Sequence, residues 1–541
     1  MTEAGNFIPL SEIGLINNRV TESFESVRKR NFKISPEIVP HIREREHMAR
    51  PYPGGNFDFL ALNVPSTYQQ GLIPDGEELP HGLLRIVSAA NNLYAENPNY
   101  PKLNSGILDA HRLRLQPEEI VEQIKRTTRG IVGLNPTSVN VPEAQAIAKL
   151  CDKMKISYIL GGIHATLDPL LARLDFPNAS AIVRGNGELV INHLVKGLLE
   201  GKQPKLRGVY YTNENTYRGD YAINLNPQEI PMVRQDLLAE EPVFRHTVIL
   251  DGVKTEINEA NLFVTHGCPF ECTFCSSPVM VNRNGKDGNK PYDRPEMPRI
   301  LDEIEHAVFD IGADAIHFLD DMAFVTKGHI DDLHSGLQDR NLIGKFIWRG
   351  LTRAPVISRF DDKTMGKMKE TGVWKIALGV ESGSNEILKQ IKKRVTKEDV
   401  IIAVQKLSKY GIQAKGFFIF GFPGETEAQM LETRSLIQYL KDIGMTEIAA
   451  FQFKPYPGTE AFRDLIQQKP GILDRLTYLR RSGLSSQEKV QFRAEQHDTW
   501  LPEDLAISAI PSGKVQEHVL GALEDFYDTT IASPKADSSC V

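Results

Sequence analysis

Cysteine is scarce in this chain: five residues among 541, three of them inside one short loop. So sparse and uneven a set is no disulfide framework. It points to a reducing, cytoplasmic setting and a dedicated metal site. No run of about 18 apolar residues occurs, so no membrane-spanning helix is expected. The opening residues, MTEAGNFIPLSEIGLINNR, lack the basic, apolar and small-residue order of a secretory signal. An excess of positive charge is missing too. The net charge is −7, which argues against a nucleic-acid partner, because binding phosphates needs a basic face.

What is present is ordinary globular composition, 41% hydrophobic and 25% charged, in a chain long enough for two or three domains. Residues 1–55 carry charge and proline without strand periodicity and are expected to form an extension on the body. From Phe57 short apolar strands alternate with helical stretches: FDFLALN, SGILDA, GIVGLN, SYILGG and SAIVRG are the strands. Such alternation predicts a doubly wound, Rossmann-like α/β domain over residues 56–205. Residues 206–259 read as a linker segment with short strand-like pieces, GVYYT and TVILDG. A second series follows, with strands LFVTHG, AIHFLDD, FIWRGL, KIALGV, GFFIFG and IAAFQF separated by helices that often stop at glycine. Six β/α units predict a partial (β/α)6 barrel over residues 260–460, with chemistry at the C-terminal strand ends. Residues 461–541 read as mainly helical, covering the barrel mouth or packing against its side.

The cysteine loop follows the first barrel strand: His266-Gly267-Cys268-Pro269-Phe270-Glu271-Cys272-Thr273-Phe274-Cys275. Thiolates are the soft ligands of iron–sulfur clusters. Three of them can hold three irons of a four-iron cluster and leave the fourth open to an exogenous ligand. The competing reading is a structural zinc site, which needs a fourth ligand such as His266. Cys151, on an apolar helix face, and Cys540, near the end, read as ordinary thiols.

The C-x3-C-x2-C spacing after a β-strand, with five further β/α units, resembles the radical SAM superfamily over roughly residues 260 to 460. The resemblance implies a [4Fe-4S] cluster on Cys268, Cys272 and Cys275. Its open iron would be chelated by S-adenosylmethionine (SAM), which one electron splits to methionine and a 5′-deoxyadenosyl radical. It also implies SAM contacts at other strand ends: Asp320 and Asp321 after strand two, Arg349 on strand three, Glu381 and Ser382 after strand four, and Gly421 and Pro423 after strand five. An electron donor such as flavodoxin or ferredoxin is implied as partner.

Three turns at the C-terminal edge of the first sheet are rich in glycine or hydroxyls: Asn135-Pro136-Thr137-Ser138, Gly161-Gly162-Ile163-His164-Ala165-Thr166 and Arg184-Gly185-Asn186-Gly187-Glu188. That edge is where open α/β sheets bind ligands. Beside a radical SAM barrel the pattern resembles the cobalamin-binding domain of cobalamin-dependent radical SAM enzymes. The resemblance implies cofactor contacts from Asn135, Thr137, Ser138, Gly161, Gly162, His164, Gly185, Gly187 and Glu188. No D-x-H-x-x-G follows the first strand, and His111, after the second, reads as structural. Base-off cobalamin without a histidine ligand is therefore implied.

The resemblance implies methyl transfer to an unactivated carbon, or to phosphorus, through methylcobalamin and the 5′-deoxyadenosyl radical. The alternative keeps both cofactors for ring contraction or oxidative cyclisation. A methylthiotransferase would need three further N-terminal cysteines, and only Cys151 precedes Cys268. A cobalamin-sensing module would leave the cysteine loop unused. The substrate is expected to be a small molecule; Tyr478, Arg480 and Trp500 are candidates for its pocket.

Overall fold

The computed structural model describes residues 56–65, 80–91, 101–113, 115–137, 140–213, 221–222, 244–250, 252–281, 290–475 and 505–528. The expected extension over residues 1–55, Ser138, and the pocket candidates Tyr478, Arg480 and Trp500 lie outside these. No described helix is long and apolar enough to cross a membrane.

Six strands make the first sheet: β1 (Phe57–Asn63), β2 (Ser105–Asp109), β3 (Thr128–Leu134), β4 (Tyr158–Leu160), β5 (Ala181–Val183) and β6 (Val209–Tyr210). Their order is β2-β1-β3-β4-β5-β6, parallel except for the last pair. Both faces are covered. On β1, Phe59 and Ala61 join one apolar cluster, and Leu60 and Leu62 join the other. That two-sided burial explains why FDFLALN is almost continuously apolar. The chain reverses direction across the sheet between β1 and β3, which opens a crevice at their C-terminal ends.

The second sheet has the order β15-β14-β13-β12-β11-β8-β7. Its parallel members are β8 (Val253–Leu262), β11 (Ala315–Phe318), β12 (Ile347–Thr352), β13 (Val373–Glu381), β14 (Gln413–Phe420) and β15 (Met445–Gln452). This is the expected partial barrel. One face packs on the helices; along β14 it is Ala414, Phe418 and Phe420 that enter the largest core cluster. The other face is charged. Arg349 pairs with Glu259, and Lys375 and Lys415 both pair with Glu447.

Two expectations need correction. The 206–259 segment is no simple linker. β6 closes one edge of the first sheet, and β7 (Phe244–Leu250) pairs antiparallel with β8 and covers the edge of the second. An edge strand left bare would expose a row of unpaired backbone groups. The first barrel strand also ends at Leu262, earlier than LFVTHG suggested. Val264 and Thr265 give their backbone N–H groups to the Asp320 carboxylate rather than to a ladder. A short antiparallel pair follows, β9 (His266–Gly267) with β10 (Tyr292–Asp293). Of the two placements expected for the C-terminal region, the helix Ser512–Tyr527 takes the second: it lies against β14, β15 and the helix Glu427–Asp442. Its Val515, Val519, Ala522 and Phe526 enter the barrel's outer core, so it packs on the side and not over the mouth.

Candidate functional site

The cysteine loop leaves β8 at the C-terminal end of the parallel strands. Cys272 is buried, and Cys268 and Cys275 are half-buried. Gly267 holds φ +77° with its Cα against Pro291; a Cβ would sit 2.4 Å from the Pro291 carbonyl oxygen. Only glycine fits that approach. Burial pushes the Cys268 thiol up to about 11 and raises Cys275 as well. Iron must therefore displace protons to bind.

Every neighbouring strand end holds this loop. After β11, Asp320 accepts from the Thr265 N–H and hydroxyl, the latter at 2.6 Å, while Asp321 accepts from Ser277 Oγ at 2.5 Å. Burial drives the Asp320 carboxyl up to about 7 even against those bonds. After β12, Arg353 lays its guanidinium 3.6 Å from the centre of the Phe270 ring and donates to Cys272 Sγ at 3.6 Å. From the β13 side, the Ile391 carbonyl accepts from Thr273 N–H at 3.1 Å. At the end of β14, Phe422 meets Phe274 edge-on with ring centres 5.4 Å apart.

The expected SAM contacts at strands four and five line this mouth but are braced from within. Glu381, at φ +68°, accepts from Lys393 at 2.6 Å, and both are buried. Ser382 Oγ lies 3.3 Å from Thr433 Oγ1 and accepts from the Ser384 N–H. Gly421, at φ +90°, and Phe422 donate their N–H groups to Glu425, and the Pro423 carbonyl accepts from Gln390. Arg349 is not at the mouth. It lies mid-strand on the charged face, bonded twice to Glu259 at 2.7 Å, and both side chains are buried. Burial pushes Glu259 up, but His246 Nε2, 3.6 Å away, and the two bonds from Arg349 outweigh it and hold the carboxyl at about 2. The strand-end cation is Arg353, four residues on.

Arg353 and Glu425 were missed as site residues. The signal for both was present: each stands just past a barrel strand, where Asp320 and Glu381 also stand. Burial pushes Glu425 up to about 7, and its Oε1 is buried without a partner.

The edge of the first sheet is built differently. Gly162, at φ +78°, follows β4 so closely packed on β3 that a Cβ would lie 3.2 Å from Asn135 Cβ, while Gly161 faces open space. Asn135 Oδ1 is buried and unpartnered. A buried acceptor without a donor calls for a group supplied from outside. Other candidates are committed to protein. Thr137 caps its own turn through Asn140; His164 Nε2 is 2.9 Å from Asp175, both fully buried; Gly185 donates to Thr166; Glu188 pairs with Arg85 at 2.8 Å. His164 and Glu188 thus brace the turns rather than face a ligand. Gly187 packs on Ile86.

The two edges meet. Asn186 Nδ2 is 2.7 Å from His266 Nε2, two residues before Cys268. The helix Gly162–Leu167 packs on Ser277–Met280, just after Cys275. Gly458, beyond β15, sits so close to Leu167 that a Cβ would come 2.7 Å from its carbonyl oxygen.

The donor set fits an iron–sulfur cluster. Three thiols, Cys268, Cys272 and Cys275, stand on one loop at the strand ends, and thiolates are the soft ligands that such clusters take.

Comparison with known proteins agrees. Residues 262–437 match the model of the radical SAM superfamily. An uncharacterized methyltransferase of Pyrococcus horikoshii is 30% identical over 358 residues, 65% of this chain and 73% of that protein. An anaerobic magnesium-protoporphyrin IX monomethyl ester cyclase of Rubrivivax gelatinosus is 24% identical over 371 residues, 66% of this chain and 62% of its own. The fold is shared with TsrM of Kitasatospora setae, a radical S-adenosylmethionine methyltransferase solved with cobalamin and a [4Fe-4S] cluster bound. The TM-score is 0.54 and the identity 17%, covering 76% of this chain and 78% of that one. Three thiols framed by the ends of a partial barrel, together with this kinship in sequence, make the chain a radical SAM enzyme, a member of the radical SAM superfamily.

Proposed function

We propose that this enzyme is a cobalamin-dependent radical SAM methyltransferase acting on an unactivated carbon or phosphorus centre of a small molecule. The observation that carries the proposal is the meeting of the two sheet edges: the ligand-binding edge of the first sheet abuts the cysteine loop through Asn186 and His266. Cobalamin bound there and SAM bound at a cluster would be neighbours, as a shared reaction requires.

When bound, the cluster with SAM supplies a 5′-deoxyadenosyl radical and cobalamin supplies a transferable methyl group, so the cofactors carry the hard chemistry. The chain's own part is positional. Cys268, Cys272 and Cys275 hold the cluster. Asp320, Asp321 and Phe422 fix the loop that carries them. Asn135 Oδ1 would accept a hydrogen bond from bound cobalamin, and Gly161, open on its Cα side, would let the ligand approach the backbone. The seam where the helix Gly162–Leu167 packs on Ser277–Met280 and Gly458 would help keep water from the bound cofactors. A one-electron donor of the flavodoxin or ferredoxin kind reduces the cluster.

The second reading, a cyclase using the same cofactors, is favoured by the Rubrivivax gelatinosus relative, whose name records that activity. Anaerobic reconstitution with iron, sulfide and hydroxocobalamin, followed by reductant and methyl-deuterated SAM, separates them. Deuterated methyl on cobalamin, read by mass spectrometry, supports methyl transfer. Bound cobalamin and 5′-deoxyadenosine without label on cobalamin rejects it in favour of the cyclase. Failure to bind cobalamin overturns the reading of the first sheet.

A further inference from the structure

Arg353, just past β12, reaches from a neighbouring strand end to donate a side-chain hydrogen bond to Cys272 of the cysteine loop. Its Nη1 lies 3.6 Å from Cys272 Sγ, a normal distance for a hydrogen bond to sulfur. Its guanidinium is clamped over the Phe270 ring at 3.6 Å, inside the cysteine loop itself. The side chain is 4% exposed, and Nη2 is buried with no partner. Among the described residues no carboxylate is paired with it, in contrast to Arg349, which is bonded twice to Glu259.

A buried guanidinium without a counter-anion is costly. The arrangement makes sense once an anion occupies the loop. Three thiolates and their cluster carry net negative charge, and reduction adds one more. A cation donating a hydrogen bond to a ligand sulfur stabilises the reduced state more than the oxidised one, so it raises the potential. The fork has a second amino group, Nη2, free to donate to another sulfur of a bound cluster.

We infer that Arg353 is a positioning residue that tunes the cluster, holding the Cys272 thiolate by a charge-assisted N–H···S bond and raising the reduction potential. The inference rests on the cysteine loop carrying a [4Fe-4S] cluster and not on the cobalamin or methyl-transfer reading. The cation–π clamp with Phe270 fixes the guanidinium, so a lysine, with a single compact ammonium, replaces its charge but not its fork.

The test is an anaerobic redox titration of the reconstituted full chain, followed by the EPR signal of the reduced cluster, with iron and sulfide counted per chain. The wild type, Arg353→Met and Arg353→Lys are compared. Arg353→Met is expected to retain its iron and to shift the reduction equilibrium at least tenfold against the reduced form. That is a fall of about 59 mV for a one-electron couple. Arg353→Lys is expected to fall between the two, and both variants to change the EPR line shape. A merely structural role would lower iron content and leave the potential of the remaining clusters unmoved. Full iron content with an unchanged midpoint in Arg353→Met overturns the proposal. So does loss of iron in both variants, which would make the side chain a pillar of the loop. A wild type that takes up no iron would instead overturn the cluster reading beneath it.

Discussion

The two sheets present their C-terminal edges to one another, and the edges are built on opposite plans. At the barrel mouth the polar groups past the strands are largely committed to the chain. Asp320 and Asp321 hold the cysteine loop, Glu381 holds Lys393, and Glu425 collects two backbone N–H groups. At the first sheet's edge Thr137, His164, Gly185 and Glu188 are committed too, but a few atoms close to the strand ends are left without partners. Asn135 Oδ1 is buried and unpaired, Gly161 faces open space, and His81, which opens the helix His81–Ala90 after β1, has neither ring nitrogen in hydrogen-bond geometry, the Asn261 backbone included. Burial, and then Arg85, push His81 down to about 4, so it stays neutral at neutral pH. A cluster bonded to thiolates needs a rigid frame. A large cofactor held without covalent bonds needs open acceptors and a bare backbone.

If the plans are separate, breaking one should spare the other. Replacing Cys268, Cys272 or Cys275 by alanine is expected to abolish 5′-deoxyadenosine formation and most iron uptake. Cobalamin retention on a desalting column should stay at the wild-type level. Loss of cobalamin along with iron would show that the edges form one site.

Arg349 and Arg353 sharpen the contrast within a single strand. Arg349→Met leaves Glu259 buried without its main partner and is expected to cost about 3–5 kcal/mol of stability. Denaturant unfolding of the apoprotein measures this. The loss should be largest at neutral pH. Glu259 sits near 2 when folded, so its contribution is present above the unfolded value of 4.5 and fades as pH falls toward 2. Arg353, by contrast, should register chiefly in the cluster's potential.

Much of this was legible in the residues. β1 reads as a strand because both its faces are buried, and the cysteine spacing marks its loop without any structure. Arg349 misled because a strand's end is not visible in FIWRGLTRAP. The ladder runs to Thr352, which places Arg349 mid-strand and leaves the mouth to Arg353. His164 and Glu188 misled for another reason. Their partners, Asp175 and Arg85, lie on separate helices, and pairing across elements leaves no mark in a local motif. The edge strand β7 was legible only in part: TVILDG reads as strand-like, but with two-sided burial absent its exposed positions give weak periodicity, and nothing local marks its pairing with β8.

Glu425 tests how far the barrel mouth is held by neutral groups. Burial raises its carboxyl from 4.5 to about 7, with the Gly421 and Phe422 N–H groups opposing. A raised carboxyl contributes stability that is full below the unfolded value and lost as pH climbs through the folded one. The loss from about pH 4.5 to pH 7 is on the order of 3 kcal/mol. Glu425→Gln keeps an acceptor for the two N–H groups and cannot ionise. Denaturant unfolding should find it more stable than the wild type at pH 8, with the gap closing near pH 4.5. A gap that ignores pH would mean the carboxyl is already ionised in the fold. Asp320, raised to about 7 by the same cause, keeps part of the slope in the variant.

The smallest expected effect bears on the open edge. Asn135→Ala removes the unpartnered Oδ1 while leaving the β3–β4 packing around Gly162, because the contact there is to Asn135 Cβ at 3.2 Å, which alanine retains. If that oxygen accepts one hydrogen bond from cobalamin, its loss is worth about 1 kcal/mol, or roughly fivefold in affinity. Equilibrium titration with hydroxocobalamin under anaerobic conditions reads the change directly, and iron content serves as the control. Removing a buried acceptor that had no donor also relieves the apoprotein of a desolvated group, so the variant's stability should hold or rise. Weaker cobalamin with a stable fold places the ligand against β3, at the crevice where the strand order reverses. Unchanged affinity would move the corrin away from β3, toward the turns around Gly161 and Gly185.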